Sequence, residues 1–236
     1  MCEIKDDIWD KTIHELSILS SHNSFTGACQ LFLPAKNKYL QNVLEQGFRG
    51  IELDVFGNNE DLTVTHNECL QKGFAFFDAL VTIKTYAFAT PLHKKLPLFI
   101  FIDDRISDLE SLDLAAKYCR EILGDRIVRE EKLYGKKLSE LAGKICIISS
   151  RKFTPSLDWN RIVSTGLYSL NFNNFADTKT YKKTSEVLSR SYPSNYLFSK
   201  NSSYERFIGV VNFPSMNVNR FFGKRNGLIC LIKSDK

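Results

Sequence analysis

GFRGIELDVF, residues 47–56, is the stretch on which the fold turns. The run is apolar enough for a buried strand, yet Glu52 and Asp54 stand inside it two residues apart. A strand's period of two points both side chains to the same side. A buried Glu/Asp pair is costly unless a cation or hydrogen bonds compensate it. The stretch is therefore either a strand with one face in solvent or a strand that carries a site.

Working outward, further strand-like apolar runs occur at Leu16–Ser20, Leu62–His66, Leu98–Ile102, Lys144–Ile148, Leu167–Phe172 and Ile208–Phe213. Segments of helical periodicity lie between them. The clearest is Ser107–Leu123, which opens with Ser107 and Glu110 in capping-box spacing. It repeats small or apolar residues at Leu112, Ala115, Ala116, Cys119, Ile122 and Leu123, then stops at Gly124. Alternating strand and helix predicts an α/β fold with a parallel sheet. About eight strands in this length favour a single (β/α)8 TIM-type barrel, distorted or incomplete, over an open doubly wound sheet. No glycine-rich phosphate fingerprint follows the first strand, which counts against a dinucleotide fold.

The 236 residues are 43% hydrophobic and 25% charged, ordinary globular composition with too much apolar material for a disordered chain. No repeat, low-complexity tract or linker interrupts them, so one domain is expected over 1–236. The most apolar stretch, Leu96–Ile102, is broken by Pro97 and falls far short of the roughly 20 residues a membrane span needs. The opening MCEIKDDIWD is acidic and does not read as a signal peptide. Six scattered cysteines (Cys2, Cys29, Cys69, Cys119, Cys146, Cys230) argue for reduced thiols in a cytoplasmic setting and against a zinc site. Net charge is +5, but from Lys179 onward eleven Lys/Arg face three Asp/Glu, leaving residues 1–178 at −3. Such a basic end is either a solvated surface or one drawn to a polyanion.

Polar residues interrupt the strands in a consistent place. His22 and Asn23 follow the first run, Glu52 and Asp54 lie in the second, His66 closes the third, and Asp103 with Asp104 closes the fourth. In a parallel barrel the C-terminal strand ends converge on one mouth, so two imidazoles, an amide and several carboxylates are expected to meet there. Each taken alone has an ordinary explanation. A histidine in SSHNS is more often a loop or cap residue, and Asp103–Asp104 before Arg105 reads equally as a strand-to-helix turn. Four neighbouring strands ending in such groups is harder to reach by chance. Oxygen donors suit a hard cation, calcium or magnesium, and leave the histidines for proton transfer at a phosphodiester.

These residues resemble the phosphoinositide-specific phospholipases C of the eukaryotic type. The matching stretches, in the family's order, are LSSHNSFTG (19–27), GFRGIELDVF (47–56), VTHN (64–67), LPLFIFIDD (96–104) and ELAGKICI (140–147). They continue with LSRSYPSN (188–195), VVNFPSMNVNRFF (210–222) and NGLICLIK (226–233). The resemblance implies a bare catalytic barrel, with an X-like half at about 13–152 and a Y-like half at about 160–233. It implies calcium held by Asn23, Glu52, Asp54 and Asp103, His22 stabilising the phosphoryl transition state, and His66 as general acid. Glu52 is also the candidate base for the inositol 2-hydroxyl, and Arg190 and Tyr192 match head-group contacts. The implied activity is cleavage of a phosphatidylinositol lipid to diacylglycerol and inositol (cyclic) phosphate. The implied setting is a monomer in transient contact with a membrane surface, without nucleic acid.

The chain departs from the family in three places. The fourth calcium carboxylate is Asp103 where a glutamate is usual. The two phosphate-binding lysines fall on Ile148 and Ser150, with Arg151 and Lys152 in shifted register, which makes less phosphorylated phosphatidylinositols plausible substrates. The serine that helps hold the head group has no clear place upstream of Arg190. Other readings stay open: a glycerophosphodiester phosphodiesterase, a catalytically weak barrel binding phosphoinositides or inositol phosphates, and, with least support, an RNA binder. Phe74, Phe76 and Phe77 cluster after His66, with Phe221 and Phe222 near the end. Core packing is the commoner use of such residues and insertion into a lipid interface the rarer one.

Overall fold

The structure is a computed structural model describing residues 9–13, 17–22, 24–25, 36–45, 47–58, 61–66, 72–130, 133–149, 155–164, 197–199, 207–211 and 228–229. Strands β1 (Ser17–His22), β2 (Gly50–Asn58), β5 (Leu98–Ile106), β6 (Ile145–Ser149) and β8 (Phe207–Val211) run parallel in the order β6–β5–β2–β1–β8. Strand β7 (Leu197–Ser199) pairs antiparallel with β8, and β9 (Leu228–Ile229) pairs parallel with β1. The expected run Leu167–Phe172 lies outside the described residues, as does most of the Y-like half. An α/β fold around a mainly parallel sheet is thus in place over the described part.

One expected strand runs the other way. The Leu62–His66 run forms β3 (Asp61–Val64), antiparallel to β2, with β4 (Phe74–Ala75) antiparallel to β3 in turn. The reason is connection length. Asn59 and Glu60 alone separate β2 from β3, enough for a hairpin, whereas a parallel crossover needs a dozen or more residues. The fourth run is also longer than expected. Asp103 and Asp104 do not close it, because β5 continues to Ile106 alongside β2 as far as the Gly57–Ile106 pair.

Register divides the sheet into two faces. Ile51, Ile100 and Ile147 form one row and Leu53 and Ile102 the next. This face is covered by α1 (Asn37–Glu45), α2 (Phe76–Tyr86) and α4 (Leu109–Leu123) in one apolar core. The alternate residues Phe99, Phe101, Cys146 and Ile148 make a second core with Ile13, Leu96, Leu133, Leu138 and Leu141. Further along that second face, the row Glu52–Phe101–Ile148 is followed by the pair Asp54–Asp103. The apolar filling therefore gives way to carboxylates toward the C-terminal strand ends.

Local chemistry sets the helices. In α1, Leu40, Val43 and Leu44 repeat at helical spacing on the buried side. Gly47 then takes φ 86°, a left-handed turn that favours glycine and directs the chain into β2. Helix α3 (Pro91–Lys95) begins with Thr90 as cap and Pro91 at its first position. Helix α4 buries Leu112, Ala115, Ala116, Cys119, Ile122 and Leu123, the residues its periodicity singles out. Its cap, however, is Asp108 and not Ser107. Asp108 Oδ1 accepts from the Ser111 amide at 2.7 Å, while Ser107 Oγ donates to the Gly57 carbonyl at 2.9 Å. The extra length of β5 claims Ser107 for the sheet and moves the helix start one residue on. Asp108→Ala is expected to cost about 1 kcal/mol, seen as a melting temperature lower by about 2–4 °C.

Of the six cysteines, Cys119 and Cys146 are described, both as buried free thiols. Burial pushes the Cys119 pKa up to about 12. No helix among the described residues is long and apolar enough to cross a membrane.

Candidate functional site

Strand β2 is the spine of the site. Glu52 and Asp54, 1% and 3% exposed, lie on the same face, and the chain on either side is tied to them through backbone bonds. The Ser24 amide donates to the Glu52 carbonyl at 3.1 Å, and the Glu52 amide donates to Ser24 Oγ at 3.0 Å. This pair fastens the segment following β1 against Glu52. Ser21 is paired with Ile51, so His22 stands beside Glu52 in register. The Thr65 amide donates to the Asp54 carbonyl at 3.1 Å. That bond fastens the segment following β3 against Asp54 and sets His66 there. The backbone at His22 and the residue His66 are thus brought beside the carboxylate pair by β1 and β3, which pair with successive parts of β2. The side chain of His22 and the whole of Asn23, Arg190 and Tyr192 lie outside the described residues.

Asp103 faces Asp54 across the β2–β5 pairing. Its carboxylate is taken: Arg105 Nε and Nη2 both donate to Asp103 Oδ2, at 3.1 and 2.9 Å. Arg105 Nη1 donates to the His66 carbonyl at 3.3 Å, and the guanidinium lies 5.2 Å from the centre of the Phe56 ring. Burial works against the guanidinium charge, but Asp103, Asp54 and Glu52 more than offset it and raise the Arg105 pKa. His66 shifts the other way. Desolvation first, then the charge of Arg105, lower its pKa below 6.5, with Asp103 opposing. At neutral pH its imidazole is mainly uncharged.

Asp104 does not belong to this group. It is on the other face of β5, buried, and its Oδ1 accepts from the Ile106 amide at 3.0 Å, which is local support for the strand. Ile148, where the resemblance places a phosphate-binding lysine, is 2% exposed in the second apolar core. Ser150, Arg151 and Lys152 lie outside the described residues. The phenylalanine cluster divides. Phe76 is buried, Phe74 packs against the core, and Phe77 is exposed with its ring edge-on to Tyr118 at 5.4 Å.

Sequence reading passes over Ser24, Thr65 and Arg105. Thr65 acts through its backbone amide, which leaves no mark in residue type, and Ser24 through its amide and its hydroxyl, both bonded to the Glu52 backbone. Arg105 was within reach, since a strand running past Asp104 places Asp103 and Arg105 two apart on one face.

Of the residues implied for calcium, Glu52, Asp54 and Asp103 are described. Among the described residues no group of three or more His, Cys, Asp or Glu is arranged to hold a metal ion, and Asp103 is engaged by Arg105.

A parallel α/β sheet with carboxylates and an imidazole gathered at the C-terminal end of its strands defines the general class, a strand-end site of the kind many α/β enzymes use. Its family follows from comparison. The family model of the phosphatidylinositol-specific phospholipase C X domain matches residues 9–152, and the chain belongs to that family. It is 28% identical over 156 residues to 1-phosphatidylinositol 4,5-bisphosphate phosphodiesterase 1 of Saccharomyces cerevisiae, covering 64% of this chain and 17% of that protein. It is 29% identical over 123 residues to 1-phosphatidylinositol 4,5-bisphosphate phosphodiesterase beta egl-8 of Caenorhabditis elegans, covering 50% of this chain and 8% of the other. The chain spans less than a fifth of the length of these relatives. Its fold is similar to the crystal structure of S. officinalis PLC21, with TM-score 0.57, 18% identity, and coverage of 75% of this chain and 26% of that one.

Proposed function

We propose that the chain is a phosphodiesterase that cleaves a phosphatidylinositol lipid at a membrane surface. The observation that carries this is the convergence on β2. Two buried carboxylates have a histidine-bearing segment fastened to each by backbone hydrogen bonds. In the reaction, the inositol 2-hydroxyl attacks phosphorus and loses its proton to Glu52. The bond from phosphorus to the diacylglycerol oxygen breaks as His66 gives that oxygen a proton. The product is a cyclic inositol phosphate, which water then opens. His22 faces the charge that develops on the phosphoryl oxygens. Arg190 and Tyr192 take the head group. With Ile148 buried in the apolar core, that position offers no charge to a ring phosphate, which favours phosphatidylinositol and its less phosphorylated forms as substrate.

Calcium is the finer part of the reading. The cation would be held by Asn23, Glu52, Asp54 and Asp103 and would supply charge to the phosphoryl oxygens when bound. To do so it has to draw Asp103 from Arg105, so the requirement for calcium should be weak in affinity. The exposed apolar residues Phe77, Leu109 and Leu157 support membrane contact. Each lies in the first turn of its helix, α2, α4 or α5 (Leu157–Asn160). A single-chain barrel closed by the Y-like half, acting as a monomer, completes the proposal.

The test is hydrolysis of a panel of vesicles containing phosphatidylinositol, its monophosphates or its bisphosphate, with calcium and with chelator. Release of water-soluble inositol phosphate is expected, greatest from phosphatidylinositol, and lost in chelator. Undiminished release in chelator would overturn the calcium part alone. Cleavage of glycerophosphoinositol without cleavage of any lipid would overturn the lipid assignment.

A further inference from the structure

The charge at the centre of this site is already supplied by the chain. We infer that Arg105 is a resident cation of the carboxylate cluster, and that any divalent ion entering there must compete with its guanidinium for Asp103. The inference builds on the same carboxylates as the functional proposal, but it is read by binding and not by turnover.

Arg105 is anchored in three directions. Two of its nitrogens meet one oxygen of Asp103, a third meets the His66 carbonyl, and the guanidinium plane sits by the Phe56 ring. A simple surface ion pair fixes one partner against one other and contributes little. This one links β2, β5 and the segment after β3 at a single point. The neighbouring carboxylates Asp54 and Glu52 act on the same guanidinium through their charge. A cation placed among Glu52, Asp54 and Asp103 would meet a positive charge there and would find Asp103 already paired with it. Two like charges among these acids repel at close range, so one displaces the other.

The displacement also has a structural consequence. Arg105 Nη1 is a direct tie to the His66 backbone, so entry of the ion loosens the support of His66 at the moment the site gains its metal. Arg105 is in this sense a specificity-determining residue. It sets the concentration of divalent ion at which the site changes state.

The experiment is calcium binding to the full chain by isothermal titration, with calcium chloride as the probe and no lipid present. Three proteins are compared: wild type, Arg105→Gln and Arg105→Lys. Removing the competitor should tighten calcium binding by about tenfold or more in Arg105→Gln. Arg105→Lys, which keeps the charge, should stay within about threefold of wild type. Equal affinities for wild type and Arg105→Gln overturn the inference, as does calcium binding detectable in neither. Should Arg105→Gln fail to fold, the wild-type protein still decides the matter. In an arginine-labelled sample the Nε–H resonance of Arg105, identified with the lysine variant, must move with the same midpoint as calcium uptake. A resonance that stays in place while calcium binds overturns the inference. Because no substrate is involved, loss of the phosphodiesterase assignment leaves this result standing, and the reverse also holds.

Discussion

His66→Ala is expected to lower hydrolysis of phosphatidylinositol vesicles by about 10²–10⁴-fold, the range for removing a positioned proton donor. His66 is fixed by a neighbouring bond, Thr65 to the Asp54 carbonyl, and by Arg105 on its own carbonyl, both of which use backbone atoms and survive the substitution. Stability should therefore change by less than about 1 kcal/mol, and the loss should fall on turnover. The pH profile supplies an independent signature. Burial and the nearby Arg105 charge put the His66 pKa below 6.5, and a general acid works only while it holds its proton. Activity of the wild type should fall as pH rises through that lowered pKa. A lipid with a better leaving group than diacylglycerol should rescue His66→Ala, because departure then needs less protonation. The same rescue is not expected for His22→Ala, whose assigned task is to face the phosphoryl oxygens. If His66→Ala keeps wild-type rates, or if the leaving group makes no difference, the assignment of the acid fails.

The strands and the buried side of α4 were legible because periodicity reports burial directly. Leu112, Ala115, Ala116, Cys119, Ile122 and Leu123 all face the core, as their spacing implies. The carboxylate pair was legible for the same reason in negative, since Glu52 and Asp54 break an apolar strand on one face. What escaped depends on length and competition between local interactions. The sense of β3 is set by the two residues joining it to β2, and the strand pattern of Leu62–His66 is the same in either direction. The end of β5 is set by its pairing with β2 out to Gly57, which carries Asp103 and Asp104 into the strand interior and takes Ser107 from the helix cap. The role of Arg105 depends on that same extension. Once β5 is taken to Ile106, an arginine two residues beyond an acid on the site face is a plain electrostatic partner for it.

Acid should destabilise the fold through one buried histidine far from the proposed chemistry. His93, on α3, is 2% exposed, and neither ring nitrogen has a hydrogen-bond partner among the described residues. Burial first, and the neighbouring Arg49 charge second, lower its pKa to about 4. Arg49 is itself fully buried, with Nη1 donating to the Ala87 carbonyl at 2.7 Å, so its charge stays close to the imidazole. The unfolded chain binds the proton near pH 6.5 and the folded chain only near 4, so the unfolded state holds more protons between those values. Stability is therefore complete above about pH 6.5 and declines as pH falls toward 4. The separation of roughly 2.5 pH units at 1.36 kcal/mol each amounts to about 3 kcal/mol. Other groups titrate in the same window, so the measurement is a difference: urea unfolding of wild type and His93→Leu at pH 7 and pH 4.5. Wild type should lose about 2–3 kcal/mol more than His93→Leu across that interval. Leucine keeps an apolar side chain on α3 and cannot ionise, which isolates the proton. Equal losses in the two proteins would show that the imidazole reaches water or a partner when it charges, and would remove His93 as the cause of acid sensitivity.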